Sequence, residues 1–385
     1  MDNKFIPYGS QWIDENDIKA VTKTMKSDFL TTGPKIDEFE EKFADYVDAE
    51  YAVAVANGTA ALHAASFAAG ISKGDEVITT PITFAATANS VLYQGGTPVF
   101  AAIDKETYNI DPKSIEEKIT DKTKAIIPVH YTGQPCAMDE IKEITDRYDL
   151  TIIEDGAHAL GATYKDKKVG SIGDMTTFSF HPVKHITTGE GGMITTDSKA
   201  LYEKLKKFRT HGITKDESNY INETDGPWYH EQLMLGFNYR MTDIQCALGI
   251  SQLEKADKFL KRRKEIAEKY NNVFKDMEGI EIPYQANNTN SSWHIYVIQL
   301  ELDKLTANRK EIFEELQKEN LGVNVHYIPV YYHPYYQKLE YEKGLCPNAE
   351  KLYERIITIP LFPKMKDKDV KEVIKRVKNV LNKYK

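Results

Sequence analysis

From about residue 13 to residue 200, short β-rich runs alternate with longer segments whose apolar residues recur at helical spacing. The predicted strands cover residues 51–56, 76–80, 97–101, 125–129, 150–154, 176–180 and 193–196, and the predicted helices cover residues 13–27, 35–47, 60–69, 83–93, 112–119, 138–148 and 199–210. Such alternation is typical of a parallel sheet covered by helices. The pattern therefore predicts an α/β fold with a mostly parallel seven-stranded sheet and helices on both faces.

The pattern changes after residue 242. Residues 242–277 hold no proline and one glycine, and their apolar positions fit one long helix that leads out of the first domain. Beyond it the pattern predicts strands at 293–300 and 323–328, a helix at 309–319 and a final helix from about residue 367. We therefore expect a large domain, residues 1–245, followed by the connecting helix and a smaller C-terminal α/β domain, residues 246–385.

Composition narrows the class of protein. Apolar residues make up 41% and charged residues 28% of the 385 residues, and the net charge is −8. This profile is that of a soluble globular protein, and it lacks the basic stripe of a nucleic-acid-binding surface. The sequence shows no signal-like segment and no apolar run of membrane-spanning length. The cysteines Cys136, Cys246 and Cys346 lack metal-type spacing, so we expect reduced thiols, no metal site and a cytoplasmic location.

Two polar residues stand where a parallel sheet would place a ligand. Asp155 closes the run 150–154, and Lys184 follows the run 176–180. Ligands of open α/β sheets bind at the carboxyl ends of strands. A pyridoxal phosphate enzyme needs a lysine that forms a Schiff base with the cofactor aldehyde and an aspartate that keeps the pyridine nitrogen protonated. Taken alone, Lys184 would be one more surface lysine, but these surroundings favour pyridoxal 5′-phosphate as the cofactor.

A candidate phosphate site lies at an earlier strand end. The run 51–56 leads into Asn57, Gly58 and Thr59 and then into a predicted helix. Gly58 allows a tight turn, and the free N–H groups of a helix N-terminus suit a phosphate. An ordinary strand–helix turn capped by Thr59 is the structural alternative. Ser179 could supply a hydroxyl to the same phosphate.

Other candidate cofactor contacts also lie near predicted strand ends. Phe84 follows the run 76–80 and could stack on a pyridine ring, although core packing is an equal alternative. His158 lies three residues past Asp155 and could reach the phenolic oxygen of the cofactor. The fingerprints of dinucleotide-binding, P-loop, zinc-hydrolase and CxxC redox proteins are absent from the sequence, which leaves those classes little support.

Taken together, these segments resemble the sugar-nucleotide aminotransferases of the fold-type I pyridoxal phosphate superfamily. The resemblance extends over roughly residues 5–380 and rests on eight blocks in the family's order, at residues 57–63, 83–89, 128–134, 154–159, 179–184, 187–192, 236–241 and 325–327. It implies a fold-type I transferase fold. It also implies that pyridoxamine 5′-phosphate forms during the reaction.

The resemblance implies roles for matched residues. Lys184 would be the Schiff-base lysine, and Asp155 would pair with the pyridine nitrogen. His158 would lie near the phenolic oxygen, and Phe84 would stack on the ring. Because some relatives that carry histidine in place of the lysine act as dehydratases, Lys184 favours transamination.

Further matched positions concern the phosphate and the assembly. Gly58, Thr59 and Ser179 would hold the phosphate. Asn238 matches an asparagine that reaches the phosphate from the neighbouring subunit in this family. The resemblance therefore implies a homodimer with shared active sites.

Finer features resemble a subgroup, the UDP-4-amino-4,6-dideoxy-N-acetyl-β-L-altrosamine transaminases of pseudaminic acid synthesis. The resembling segments are residues 181–184, 209–213 and 323–329, with the loop 30–34. The implied reaction moves an amino group from L-glutamate, which leaves as 2-oxoglutarate, to C4 of a UDP-linked 4-keto-6-deoxy-N-acetylhexosamine. His185 departs from the proline, serine or asparagine that relatives often carry. Candidate substrate contacts are Thr31, Lys35, His185, Glu190, Arg240, His326 and Tyr327.

Other functions stay open on the sequence. The enzyme could act on the xylo epimer, or on another UDP- or dTDP-linked 4-keto sugar. A dehydratase that uses pyridoxamine phosphate is a further alternative, which Lys184 disfavours. A catalytically inert pyridoxal phosphate-binding regulator would need an extra sensor or DNA-binding segment, and none is visible.

Overall fold

The computed structural model describes residues 4–385, and its central feature is a sheet of seven strands. The strands of the chain are β1 (Tyr51–Val55), β2 (Glu76–Thr79), β3 (Thr97–Phe100), β4 (Thr123–Ile127), β5 (Thr151–Asp155), β6 (Thr163–Tyr164), β7 (Lys167–Lys168), β8 (Met175–Ser179), β9 (Gly192–Thr196), β10 (Ile213–Thr214), β11 (Glu231–Gln232), β12 (Ile280–Glu281), β13 (Thr289–Asn290), β14 (Tyr296–Leu300) and β15 (Ile356–Ile359). The large sheet has the order β1-β9-β8-β5-β4-β2-β3. All neighbours are parallel except β9, which runs antiparallel to β1 and β8.

Helices cover the sheet and the C-terminal part of the chain. They are α1 (Glu15–Met25), α2 (Pro34–Val47), α3 (Gly58–Ala68), α4 (Ala86–Tyr93), α5 (Pro112–Glu117), α6 (Met138–Tyr148), α7 (Lys199–Phe208), α8 (Asp243–Leu253), α9 (Ala256–Phe274), α10 (Arg309–Lys318), α11 (Pro334–Gln337), α12 (Pro347–Arg355) and α13 (Asp367–Asn382). The predicted α/β fold class with a mostly parallel seven-stranded sheet is thus confirmed.

The central strands are buried because helices lie on both sides of them. In β5 and β8 nearly every residue is buried, as expected for a parallel sheet covered on two faces. Helix α3 is buried along most of its length, and its alanine-rich sequence lets it lie close to the strands. The carboxyl ends of the parallel strands therefore lie at the same edge of the sheet, where Asp155 and Ser179 are the last residues of β5 and β8.

A second core lies in the C-terminal part of the chain. The antiparallel strands β12, β14 and β15 form a three-stranded sheet, on which α9, α10 and α13 pack. Tyr270, Phe274 and Ile298 are fully buried in this core. The predicted strand at 293–300, the helix at 309–319 and the final helix are confirmed in β14, α10 and α13. Within residues 4–385 no helix is long and apolar enough to cross a membrane.

Two predicted elements are wrong. The predicted long helix at 242–277 is two helices, because the chain turns at residues 254 and 255 between α8 and α9. There the Lys255 N–H bonds the Gln252 carbonyl three residues earlier, the tighter pattern of a helix end. The predicted strand at 323–328 is irregular: the segment lies beside β15 at the edge of the small sheet, and the Val325 N–H bonds the Asn324 side chain rather than a strand. Only Asn324 makes a bridge, to Thr358 of β15.

Helix α8 packs against α1 and α2 and buries Cys246 in the same core as Phe39. It therefore lies within the core of the large-sheet part of the chain, although the predicted division starts the second domain at residue 246. The division itself stays a prediction.

The junction between α1 and α8 depends on a buried carboxylate. Asp17 accepts hydrogen bonds from Ser251 Oγ at 2.7 Å and Gln252 Nε2 at 2.8 Å, and pairs with Lys255 Nζ at 2.6 Å. Its side chain is fully buried, so loss of the carboxylate would remove all three contacts, although Lys255 would keep its pair with Asp14 and Gln252 its bond to the Trp12 carbonyl. These contacts fasten α1 to the start of the α8–α9 turn.

We expect Asp17→Ala to lower the free energy of unfolding by about 3 kcal/mol, because it breaks a buried ion pair and two hydrogen bonds. Urea denaturation followed by circular dichroism measures this. Asp14→Ala is the matched control, since the Asp14 carboxylate pairs with the same lysine at 2.9 Å but is 38% exposed. The control should cost about 1 kcal/mol, the value of an N-cap. Equal losses in the two variants would contradict the role given to burial.

Candidate active site

A cleft of about 650 Å³ lies at the carboxyl edge of the large sheet. Side chains from both parts of the chain form its walls, because residues 324–327 of the C-terminal part face the strand ends. Ten residues predicted as site residues line it: Gly58, Thr59, Phe84, Asp155, His158, Ser179, Lys184, Glu190, His326 and Tyr327. The structure thus brings together the predicted lysine, aspartate and phosphate turn in one cavity.

Five predicted site residues are not among those that line this cleft: Thr31, Lys35, His185, Asn238 and Arg240. The Lys35 ammonium pairs with the Glu38 carboxylate at 2.5 Å. Thr31 makes a backbone bridge to Thr242, and Asn238 is exposed. His185 is buried behind the wall of the cleft, where its Nε2 lies 3.3 Å from the Ser292 carbonyl oxygen.

Asp155 is held in one orientation by its neighbours. Thr87 Oγ1 donates to Asp155 Oδ2 at 2.8 Å, and the Ala157 N–H donates to Oδ1 at 3.2 Å. The Asp155 backbone N–H bonds the Pro128 carbonyl at 2.9 Å, which fixes the end of β5 against the end of β4. The side chain is 5% exposed, so a carboxylate with a preset direction faces the cleft.

Lys184 lies in the loop that follows β8. Its backbone N–H bonds the His181 carbonyl at 2.9 Å, which makes a turn that presents the side chain to the cleft. Burial lowers the pKa of the Lys184 ammonium to about 8; the Asp155 charge opposes this shift and the Arg263 charge adds to it. A substantial fraction of the amine is therefore neutral near pH 8, as a nucleophile or a general base requires.

The N-terminus of α3 forms a small cradle with the end of β8. The Asn57 side chain caps α3 by accepting the Ala60 N–H at 2.8 Å. A Cβ added at Gly58 would lie 2.9 Å from Ser179 Cβ, so only glycine fits there. The α3 N-terminus, with the hydroxyls of Thr59 and Ser179, provides donors and a positive dipole end for a phosphate.

A hydrogen bond joins His158 to the C-terminal part of the chain. The Tyr327 hydroxyl and His158 Nε2 lie 2.9 Å apart, and the His158 Nδ1 is buried without a partner among residues 4–385. Burial lowers the pKa of His158 well below its ordinary value, and the nearby Lys184 charge acts in the same direction. His158 is therefore neutral at physiological pH and retains one ring nitrogen for a ligand.

Of two further lining residues, Phe84 is exposed to solvent and His326 is buried. The Phe84 side chain is 63% exposed at the mouth of the cleft, where a ligand ring would cover it. His326 is buried, and its Nδ1 lies 2.8 Å from the Thr358 hydroxyl. Burial, with a contribution from the Lys184 charge, lowers the pKa of His326 to about 4. His326 is therefore a neutral hydrogen-bonding group of the cleft.

The lining residues that sequence reasoning did not assign to the site include the polar residues Tyr8, Thr87, Asn324 and His294. Thr87 lies within the matched block 83–89 and could have been suspected, because it falls one helical turn after Thr83. His294 and Tyr8 gave no local signal, since their places in the cleft depend on long-range packing.

These residues fit pyridoxal 5′-phosphate. The α3 cradle suits its phosphate, and Asp155 suits a protonated ring nitrogen. Lys184 suits the aldehyde, and the unpartnered Nδ1 of His158 offers a polar contact beside the ring.

Comparison with known proteins identifies the family of this chain. Residues 11–378 match the model of the DegT/DnrJ/EryC1/StrS aminotransferase family. The chain therefore belongs to this family, and it is a pyridoxal phosphate-dependent sugar aminotransferase.

Three relatives match almost the whole chain. The Methanocaldococcus jannaschii protein named Uncharacterized protein MJ1066 is 50% identical over 98% of this chain and 98% of its own length. The Bacillus subtilis spore coat polysaccharide biosynthesis protein SpsC is 44% identical, also over 98% of each chain. A Campylobacter jejuni UDP-4-amino-4,6-dideoxy-N-acetyl-beta-L-altrosamine transaminase is 40% identical over 99% of this chain and 98% of its own.

Solved structures share the fold over nearly their full length. Helicobacter pylori PseC, an aminotransferase involved in pseudaminic acid biosynthesis, superposes with a TM-score of 0.92 at 34% identity, covering 99% of this chain and 100% of that one. The putative sugar aminotransferase Spr1654 of Streptococcus pneumoniae, in its pyridoxamine phosphate form, has a TM-score of 0.92 at 33% identity and covers 98% and 99%. These likenesses confirm the predicted fold-type I transferase fold and the predicted cofactor.

Gly58→Ala should weaken pyridoxal phosphate binding at least about tenfold, because the new Cβ displaces Ser179 and costs a hydrogen bond to a charged group. Fluorescence titration of the apoprotein with pyridoxal phosphate measures the Kd. Gly9→Ala is the control, since its Cβ would meet nothing nearer than 3.4 Å. An unchanged Kd in Gly58→Ala would show that the phosphate lies elsewhere.

Proposed function

We propose that this enzyme transfers the amino group of L-glutamate to C4 of a UDP-linked 4-keto-6-deoxy-N-acetylhexosamine. The product would be UDP-4-amino-4,6-dideoxy-N-acetyl-β-L-altrosamine, an intermediate of pseudaminic acid synthesis, and the second product would be 2-oxoglutarate. The observation that carries the proposal is the 40% identity to the Campylobacter jejuni transaminase over 99% of this chain. The likeness to Helicobacter pylori PseC supports the same assignment.

The chemistry follows from two side chains of the cleft. When bound, pyridoxal phosphate supplies an aldehyde that condenses with amines and a ring that withdraws electrons from the carbon losing its proton. Lys184 Nζ, once free, would remove the proton from Cα of the amino donor and deliver it to C4′, the carbon that carried the cofactor aldehyde, on the same face. The lowered pKa of Lys184 keeps a fraction of this amine unprotonated near pH 8.

Asp155 acts on the ring rather than on the amino acid. Its carboxylate, oriented by Thr87 and the Ala157 N–H, holds a proton on the pyridine nitrogen. Tyr327 and His158, which are joined by a hydrogen bond, connect the ring side of the cleft to the C-terminal part of the chain. His326 and Glu190 line the cleft and are proposed contacts for the sugar nucleotide.

We further propose a homodimer whose two active sites are shared. Thr31, Lys35, Asn238 and Arg240 are not among the residues that line their own chain's cleft, which fits a role in the neighbouring subunit's site. Exposed apolar side chains flank Asn238 on the same segment, with Leu235 76% exposed. A buried contact would cover them. Location in the cytoplasm stays a prediction.

A second candidate substrate has its own support. SpsC is named for spore coat polysaccharide biosynthesis and is 44% identical to this chain, slightly more than the altrosamine transaminase. The alternative is therefore the same amino transfer to another UDP- or dTDP-linked 4-keto sugar. The chemistry of Lys184 and Asp155 is common to both candidates.

A product assay distinguishes them. Purified protein, pyridoxal phosphate and L-glutamate are mixed with UDP-2-acetamido-2,6-dideoxy-β-L-arabino-hexos-4-ulose, or with its xylo epimer, and the UDP-4-amino sugar is followed by mass spectrometry and NMR. We expect the arabino substrate to be converted with the higher kcat/KM. A preference for the xylo epimer, or conversion of neither, would assign the enzyme to another amino sugar.

Lys184→Ala should lower kcat by more than about 10³-fold, because it removes both the cofactor-binding amine and the group that moves the proton. Single-turnover formation of 2-oxoglutarate from L-glutamate measures the loss independently of the sugar. Lys167→Ala, at an exposed lysine of β7, is the control and should behave as the wild type. Near-normal turnover by Lys184→Ala would refute the assigned role.

A further inference from the structure

The segment formed by residues 291–294 lies at the wall of the cleft and contacts His158, which lines the cleft, and His185, which lies behind it. Ser292 Oγ donates to the His158 carbonyl at 2.8 Å, and the Ser292 carbonyl oxygen lies 3.3 Å from His185 Nε2. His294 lines the cleft, and its backbone N–H bonds the Thr132 carbonyl at 2.9 Å. A shift of this segment would therefore move the surroundings of His158 and of the loop that carries Lys184.

The backbone of this segment is strained. Trp293 has a φ of 51°, in the left-handed region, although it is a bulky aromatic residue and is 7% exposed. Such residues adopt this conformation only where the surrounding structure holds them in it. Trp293 stacks on Tyr296, with 5.6 Å between ring centroids, but this contact fixes the ring and not the peptide that follows.

A buried arginine of α9 holds that peptide. Arg263 Nη1 donates to the carbonyl oxygens of Trp293 at 3.3 Å, His294 at 2.8 Å and Leu361 at 3.2 Å. Arg263 is 1% exposed, and no carboxylate of residues 4–385 forms an ion pair with it. A buried cation without a counter-charge is costly, and here the three backbone carbonyls are the groups that offset this cost.

The peptide held by Arg263 carries an imidazole that packs on His158. The ring centroids of His294 and His158 are 4.3 Å apart, and both rings have a buried Nδ1 without a partner among the described residues. Burial lowers the pKa of both rings well below the ordinary value, so both are neutral and pack without charge repulsion. His294 therefore limits the rotation of the His158 ring, whose other nitrogen bonds Tyr327.

We infer that Arg263 is a positioning residue of the active site: its guanidinium holds the strained Trp293–His294 turn and thereby fixes the His294 ring against His158. Helix α9 belongs to the C-terminal core, so this contact sets the cofactor's surroundings from outside the large sheet. The inference rests on the cofactor site assigned above and is independent of which sugar is the substrate.

The chain offers a matched control in α13. Arg376 is also buried, at 5% exposed, and its Nη1 donates to the carbonyl oxygens of Lys4, Glu319 and Asn320 at 3.1, 2.9 and 3.4 Å. This site lies outside the cleft lining. Each arginine thus bonds three backbone carbonyls through one Nη1, but Arg376 Nε also lies 3.6 Å from the Glu372 carboxylate, and only Arg263 lies next to a residue that lines the cleft.

The test compares Arg263→Lys, Arg263→Met, His294→Gln and Arg376→Met as holoenzymes. Thermal unfolding measures stability, and the visible absorption band of bound cofactor reports its surroundings. The single-turnover half-reaction with L-glutamate gives a limiting rate constant, written kcat for this half-reaction, and the half-saturating glutamate concentration. We expect Arg263→Met and His294→Gln to shift the band and to lower kcat by up to about 100-fold, as expected for small misplacements. Arg263→Lys should recover part of the loss, and Arg376→Met should lower only the unfolding temperature.

The double variant Arg263→Met/His294→Gln gives the decisive comparison. If Arg263 acts through His294, the double variant has the kcat of the worse single variant, because the second change removes nothing further. Multiplied losses, or a normal band in Arg263→Met with a lowered unfolding temperature, would reduce Arg263 to a stabilising residue and overturn the inference. If Arg263→Met fails to fold, Arg263→Lys replaces it in the same cycle. A wrong sugar assignment alters none of these readouts.

Discussion

The site depends on the attraction between two charges, the Asp155 carboxylate and the Lys184 ammonium, at the carboxyl edge of one sheet. The Asp155 charge favours protonated Lys184, whereas burial and the Arg263 cation favour the neutral amine. The net result, a pKa of about 8, leaves the lysine able to act as nucleophile and base near neutral pH. A more exposed lysine would stay protonated at neutral pH. Without Asp155, the cleft would lack the carboxylate that keeps the pyridine nitrogen of the cofactor protonated.

Three histidines near this pair add no charge to it. His158, His185 and His294 are buried and have lowered pKa values, so each stays neutral at physiological pH. Because neutral rings still donate and accept hydrogen bonds, His158 and His294, which line the cleft, can orient a ligand without competing for Asp155. This arrangement buries several polar side chains close together. Residues of the C-terminal part hold them in place, since Tyr327 bonds His158 and Arg263 bonds the His294 carbonyl.

Most of the sheet and the chemical centre could be predicted from sequence, because both follow from local patterns. Alternating strands and helices placed Asp155 and Ser179 at strand ends, and the structure has them as the last residues of β5 and β8. Gly58 was recognisable as the turn glycine between a predicted strand and a predicted helix, and the structure adds that a Cβ there would lie 2.9 Å from Ser179 Cβ. These residues share one edge by the geometry of a parallel sheet.

What the sequence could not predict depends on contacts between distant segments. The segment 323–328 has strand-like composition, yet it makes a single bridge to β15, and its residues 324–327 line the cleft. The break between α8 and α9 has no proline or glycine to mark it. The contributions of His294 and Arg263 arise from a left-handed turn at Trp293, which local propensity disfavours.

The central claim is that Lys184 is the residue that binds pyridoxal phosphate in this cleft. Reduction of the holoenzyme with borohydride, followed by proteolysis and mass spectrometry, tests it most directly, because reduction fixes the cofactor to the lysine that holds it. The account predicts a phosphopyridoxyl group on the peptide containing Lys184 and on no other lysine in stoichiometric amount. A label on a different lysine, or a holoenzyme that reduction leaves unlabelled, would contradict it.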